Sequence, residues 1–386
     1  MDKSQTLSSP DNNKILSIQM LRGLAALLVV YMHAIIHQTQ LNIGNSVQQQ
    51  FYFLATFGAV GVDIFFVISG FIITVISAKF LRGHGVQDFF IKRLIRIVPI
   101  YWLLSLLEIT NSLIQHPDRL NVQEVVKTIT ILPIFDSNNF VFPVIGLGWT
   151  LAFELYFYLV VGLFLVTRRQ AFILYASSFM LALMGLGLVV PEIRVPMFEF
   201  MANPIILEFL LGCLIGWLYQ NRVKPGIGLS LSLVILAILG LGLTIGLDTD
   251  TISRAENVLN HPHVAFFRVL VWGIPSALLV AGLVFLESNH RLTVKRSLIL
   301  SGDASYSIYL THFFVLTAFD KIWLRLGLQS PDLFIIISVI SSSAIGIIFY
   351  LLVEKNLLTY LNSTYRAYCQ RRVRKAEVPL SASRKT

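Results

Sequence analysis

Charged side chains make up only 13% of this 386-residue sequence, against 55% hydrophobic residues and a mean hydropathy of +0.73. So few polar groups cannot coat a soluble particle of this length, which excludes an ordinary soluble domain and makes lipid the expected solvent. Cysteine is nearly absent. Of the two present, Cys213 falls in an apolar run and Cys369 in a basic, polar tail, so no disulfide is expected. No Cys/His spacing fits a metal-ligand set, so no metal is expected, and no glycine-rich fingerprint marks a nucleotide fold. A heptad seam and an internal repeat are also missing, which sets aside coiled coils and solenoids.

What is present is apolar sequence in long runs. A hydrocarbon core of ~30 Å needs roughly 20 apolar residues per helix, and about ten such stretches occur. They are expected at 15–37, 55–78, 94–115, 145–166, 171–190, 203–220, 226–247, 264–286, 304–326 and 332–353. The fold class is therefore all-α, a polytopic integral membrane protein with about ten transmembrane helices. The first run is too long for a signal peptide, contains Arg22 and His33 and shows no small-residue cleavage site, so it reads as a retained helix.

Net charge is +9, which would suggest nucleic acid in a soluble protein, but position decides its meaning here. Lys3, Lys14, Lys79, Arg82, Lys92, Arg168, Arg169, Arg222 and Lys224 fall on one side of the expected spans. The positive-inside rule then places both termini in the cytoplasm and assigns no nucleic-acid partner. Arg119, Lys127, Arg194 and Arg254 on the other side are outnumbered, and only Lys321 and Arg325 sit awkwardly. Residues 1–14 read as a cytoplasmic segment, 15–353 as the membrane domain and 354–386 as a basic cytoplasmic tail, mobile after about Ser363.

An ionisable group near a helix centre costs at least ~2.5–3.5 kcal/mol on insertion scales, so each one asks for a reason. Arg22 and His33 are eleven positions apart, close to three turns, and so share a face separated by ~16 Å of rise. Counting depth along each span puts Asp63, Glu154 and Glu208 in the outer half with His33. Arg93 and Arg96 fall at the cytoplasmic surface with Arg22. The expectation is a basic mouth below an acidic, imidazole-bearing cavity. Blander readings stand beside it: Arg93 and Arg96 as topology anchors, His33 as a core histidine bonded to a carbonyl, and Glu154 with Tyr158 as a structural pair. Trp149 also fits an interfacial anchor, and Ser305 a helix-packing serine on the stripe Ser305, Tyr309 and His312. The segment from Val122 to Phe135 is apolar but too short to span, which suits an interfacial helix or a lid.

Several motifs in order then resemble one family. SIQMLRGLAALLVVYMH (Ser17 to His33), with a basic residue, ten intervening positions and a histidine, resembles the first helix of the acyltransferase 3 family of membrane acyltransferases. GVDIFFVISGFI (Gly61 to Ile72), FFIKRLIRIVPIYW (Phe89 to Trp102) and GWTLAFELYFY (Gly148 to Tyr158) resemble later family segments. So do NPIILEFLLGCLIGW (Asn203 to Trp217) and SGDASYSIYLTHFF (Ser301 to Phe314), and the exopolysaccharide and O-antigen acetylating branch is the nearest in kind. Many members carry proline two positions after a late glutamate, whereas Glu354 is followed by Lys355 and Asn356.

The resemblance implies an O-acyltransferase in a bacterial inner membrane. Its donor would be acyl-CoA, acetyl-CoA by default, and its acceptor a hydroxyl of an exopolysaccharide, O-antigen or lipid-linked saccharide. Arg93 and Arg96 are the expected phosphate ligands, and Arg22 is expected either at a pyrophosphate oxygen or along the path of the pantetheine arm. His33 is the expected general base, with an acyl-histidine intermediate as the alternative, and Asp63 and Glu154 are expected either to orient it or to hydrogen-bond sugar hydroxyls. Glu208, Tyr158, Trp149, Ser305 and His312 are expected at the substrate. Polysaccharide-assembly machinery or a second copy is an expected partner. A proton-coupled transporter is the rival reading, since intramembrane acids and histidines also build proton paths.

Overall fold

In hydrocarbon a chain can satisfy its backbone only as helix or closed barrel, and the apolar runs here are continuous rather than alternating, so they coil into helices. The computed structural model describes residues 14–50, 56–81, 85–115, 121–136, 139–190, 195–244, 247 and 249–377. Its principal helices are α1 (Leu16–Leu41), α2 (Val60–Ser77), α3 (Gly85–Gln115), α4 (Val122–Thr130), α5 (Trp149–Leu165), α6 (Phe172–Val189) and α7 (Ile206–Gln220). They continue as α8 (Ile227–Leu243), α9 (Pro262–Arg268), α10 (Ile274–Ser288), α11 (Ser305–Arg325), α12 (Pro331–Phe349) and α13 (Lys355–Glu377). Lys3, Arg82, Arg119 and Arg194 lie outside the described residues, as does the end of the tail after residue 377.

Every expected span falls on a helix. Eight helical stretches among the described residues are long and apolar enough to cross a membrane by length and composition. Two expected spans fall short of that standard: α8 has 17 residues, and α11 carries Asp320, Lys321 and Arg325 near its end. The tail differs from expectation. Five residues of π-helix, Tyr350–Glu354, join α12 to α13, and the chain stays helical to Glu377. Among the described residues the only sheet is a two-residue antiparallel pairing, Phe135–Asp136 with Asn139–Phe140.

Helix α2 lies at the centre and packs on both α1 and α7. Its contact with α7 is close because Gly70 and Gly212 face each other's helix. A Cβ at Gly70 would sit 1.9 Å from the Phe209 carbonyl oxygen, and one at Gly212 would sit 2.0 Å from that of Val67. In lipid, such small-residue seams supply the packing that hydrophobicity cannot. Gly212→Ala is therefore expected to lower stability by about 1–3 kcal/mol or more, because the obstacle is rigid backbone. Thermal unfolding of the detergent-solubilised protein against wild type measures it.

The start of α1 is held from a distance. The Leu16 and Ser17 amides each donate to the Glu287 carboxylate at 2.7 Å, which places a negative charge at the helix N-terminus, where it is favoured. Lys14 adds an ion pair to Asp303 at 3.1 Å.

Helix α4 folds back along α3. The Trp102 indole donates to the Ile129 carbonyl at 2.9 Å, and the Val144 amide donates to Thr128 Oγ1 at 2.8 Å. Its polarity is inverted relative to a soluble helix: Lys127 and Thr128 are buried, while Val122, Val126 and Ile129 point outward. Among the described residues Lys127 Nζ has no hydrogen-bond partner, and it sits over the Phe140 ring. Desolvation lowers its amine from 10.5 to about 6, so it can lie there uncharged.

Candidate functional site

The inward face of α1 carries Arg22 into a cavity of about 310 Å³ among α1, α2, α3, α5 and α11. Arg93 and Arg96 reach it from one turn of α3, Glu154 and Tyr158 from one turn of α5, and Ser305, Tyr306 and Tyr309 from α11. Lys79, just past the end of α2, lines it too and was not among the expected site residues. Arg93 lies over the Tyr158 ring at 5.9 Å, and among the described residues its Nε has no hydrogen-bond partner. Tyr158 donates to Glu154, and Ser69 does so at 3.4 Å. Four cations thus face a space that holds a single carboxylate, a donor-rich cradle for an anion.

Glu154 stands with the arginines rather than with His33 as the depth count suggested. That count assumed α5 begins at the outer surface. In fact the preceding chain folds inward: Gly148 abuts Tyr101, midway along α3, so α5 starts deeper. Glu354, whose role the sequence left open, accepts a hydrogen bond from Ser307. Arg96 and Arg22 are its neighbouring charges.

Farther along α1, His33 meets His312 of α11. Each ring places Nδ1 against the carbonyl one turn earlier, His33 on Val29 at 2.9 Å and His312 on Ile308 at 3.2 Å. Carbonyls only accept, so both rings carry their proton on Nδ1, a tautomer assigned from these partners. His312 Nε2 is then a lone pair, 3.3 Å from His33 Nδ1, and the Nδ1 proton is shared between it and Val29. His33 Nε2 remains an open base. His33 is partly accessible, whereas His312 is 1% exposed. Between this pair and the cavity stands Tyr309, its ring 6.1 Å from His312 and edge-on to Phe65 at 5.9 Å.

Neither carboxylate expected to orient His33 touches it. Asp63 is held by Arg268, whose Nε and Nη2 donate to its two oxygens at 2.9 and 2.7 Å. The remaining Arg268 donors reach the Ile252 and Ala59 carbonyls, and both side chains are essentially inaccessible. Glu208 abuts this pair and the π-helical turn Val269–Gly273 that follows Arg268. Its oxygens make no well-formed hydrogen bond. Arg268 escaped the sequence reading, although an arginine inside an apolar run was a visible signal. Trp149 packs edge-on to Phe66 and Phe153, in an aromatic cluster rather than on the cavity.

The family model described as an acyltransferase domain matches residues 15–352, nearly the whole membrane region. The chain belongs to the acyltransferase 3 family. It is 35% identical over 309 residues to "Exopolysaccharide production protein ExoZ" of Rhizobium meliloti (strain 1021), covering 78% of this chain and 90% of the relative. It is 27% identical over 326 residues to "Nodulation protein 10" of Rhizobium leguminosarum bv. viciae, covering 78% and 82% respectively. No solved structure matches significantly. As an acyltransferase of this family, the protein is a membrane enzyme with two distinct polar centres along α1, a cationic cavity around Arg22 and an imidazole pair at His33. The Asp63, Arg268 and Glu208 cluster forms a third group, with Arg268 within electrostatic reach of Tyr309.

Proposed function

We propose that the protein transfers an acyl group, acetyl by default, from acyl-CoA to a hydroxyl of a cell-surface carbohydrate at a bacterial inner membrane. The observation that carries this reading is the pairing of a cation-lined cavity with an open imidazole nitrogen on the same helix. The cavity's donor set suits phosphates: guanidinium groups of Arg22, Arg93 and Arg96, with Lys79, against one carboxylate already hydrogen-bonded to Tyr158 and Ser69. An exopolysaccharide acceptor is favoured by the name of one relative.

In this reaction His33 Nε2 takes the proton of the acceptor hydroxyl as the oxygen attacks the thioester carbonyl. The carbon–sulfur bond breaks, and the imidazolium returns its proton to the departing sulfur. While His33 is charged, its Nδ1–H points at the His312 lone pair, which shares the charge and holds the ring. The buried imidazole does here what a carboxylate does in many base-orienting arrangements. Asp63, engaged with Arg268, supports α2 instead.

Purified protein is expected to release CoA from acetyl-CoA only when a saccharide acceptor is supplied. Solute movement without CoA release would overturn the reading in favour of a transporter. Arg93→Lys is expected to raise the donor KM by about 10–100-fold with little change in kcat, the size of a charge-assisted hydrogen bond lost from ground and transition states alike. Steady-state kinetics with varied acetyl-CoA would show it.

A further inference from the structure

A second cavity adjoins the first at Lys79, between the end of α2, the start of α6 and the second half of α7. Its volume is about 1140 Å³, above the ~300–1,000 Å³ typical of small-molecule pockets. The walls are apolar, with Leu174 and Leu181 from α6 facing Leu210, Cys213, Leu214 and Trp217 from α7. It exists because α6 leans on α5 and touches α7 only sparsely. Leu174, Leu181, Leu214 and Trp217 are exposed, so the cleft opens sideways from the helix bundle. A gap of this size at bilayer depth is filled by lipid, since leaving it empty forfeits contact along both walls.

The cleft has one polar end. Lys79, Gln170, Gln220 and Asn221 line it there, all at termini of their helices on one membrane face. The exposed cations Arg168 and Arg169 directly precede Gln170, and Arg222 and Lys224 closely follow Asn221. Neither residues 166–177 nor 210–226 contain an Asp or Glu, so the mouth is basic without local compensation. From Leu210 to Asn221 the α7 wall rises ~16 Å, about half of the ~30 Å hydrocarbon thickness. The depth is that of one leaflet.

We infer that this cleft binds an anionic glycerophospholipid of that leaflet, an acyl chain between α6 and α7 and the phosphate at Lys79. Because Lys79 also lines the cationic cavity, the lipid headgroup lies at the rim of the site proposed for the acyl donor. The lipid's binding does not depend on the acyl-transfer reading.

Native mass spectrometry of the full-length protein, delipidated in detergent and exposed to phosphatidylglycerol or phosphatidylethanolamine of equal chain length, tests the inference. Wild type is expected to retain phosphatidylglycerol over phosphatidylethanolamine by roughly fivefold for each cation engaged. Leu214→Trp and Leu181→Trp fill the cleft from opposite walls at lipid-exposed positions, so either one that stays monodisperse is informative. Both are expected to lose the retained lipid, while Lys79→Gln keeps a lipid but discriminates less between headgroups. Equal retention of the two lipids by wild type would overturn the headgroup assignment. Wild-type retention in both tryptophan variants would overturn the cleft as the site.

Discussion

His33→Ala is expected to leave the protein inserted and folded while lowering acyl transfer by about 10²–10⁴-fold, the usual contribution of a positioned general base. Insertion should survive because, among the described residues, the imidazole's hydrogen bonds are to Val29 on its own helix and to His312, and an alanine costs a membrane helix nothing. Donor binding should survive as well, since His33 is not among the residues lining the cationic cavity. The effect is thus predicted in kcat, with acetyl-CoA affinity unchanged, and single-turnover CoA release alongside an equilibrium donor-binding measurement separates the two. His312→Gln is expected to cost less, because the Nε2 base of His33 remains and only its charge-sharing partner is altered. Wild-type turnover in His33→Ala would remove the proposed base.

The second large effect concerns stability rather than chemistry. Arg268→Met is expected to destabilise the protein by about 3–5 kcal/mol, because it strands Asp63 beside Glu208 in a dry environment with no cation to compensate either. It also leaves the Ala59 and Ile252 carbonyls without their donor. Adding Asp63→Asn to Arg268→Met should recover much of that loss, since removing both charges also removes the unpaired one. Thermal unfolding of the single and double variants in detergent makes the comparison, and a single variant as stable as wild type would argue that the buried pair carries no structural weight.

The fold was largely legible because apolar run length, not contact detail, determines where a chain can cross lipid. The ten expected spans were found as helices, displaced mainly at their ends. Arg22, Arg93 and Arg96 were foreseen together because a shared helical face and a common membrane side follow from counting alone. What counting missed was depth and partnership. Glu154 moved to the arginines because α4 and the residues after it fold inward before α5 begins, a tertiary event with no local sequence signature. Asp63 found Arg268 across more than two hundred residues of sequence, and the His33 and His312 pair joins α1 to α11 in the same way. The π-helical turns after Arg268 and ending at Glu354 also shift side-chain direction beyond what a uniform 3.6-residue period describes.

The edge-on contact between Phe65 and Tyr309 has an electrical consequence. The proposed reaction has the acyl donor in the Arg22 cavity and the acceptor hydroxyl at His33, with these rings between the two, so a permanently open route through them would let protons and ions run down the membrane voltage. A plug of two aromatic rings can part for a slender uncharged arm and close behind it. In the proposed reaction such a valve would confine the cost of each turnover to the bond being exchanged.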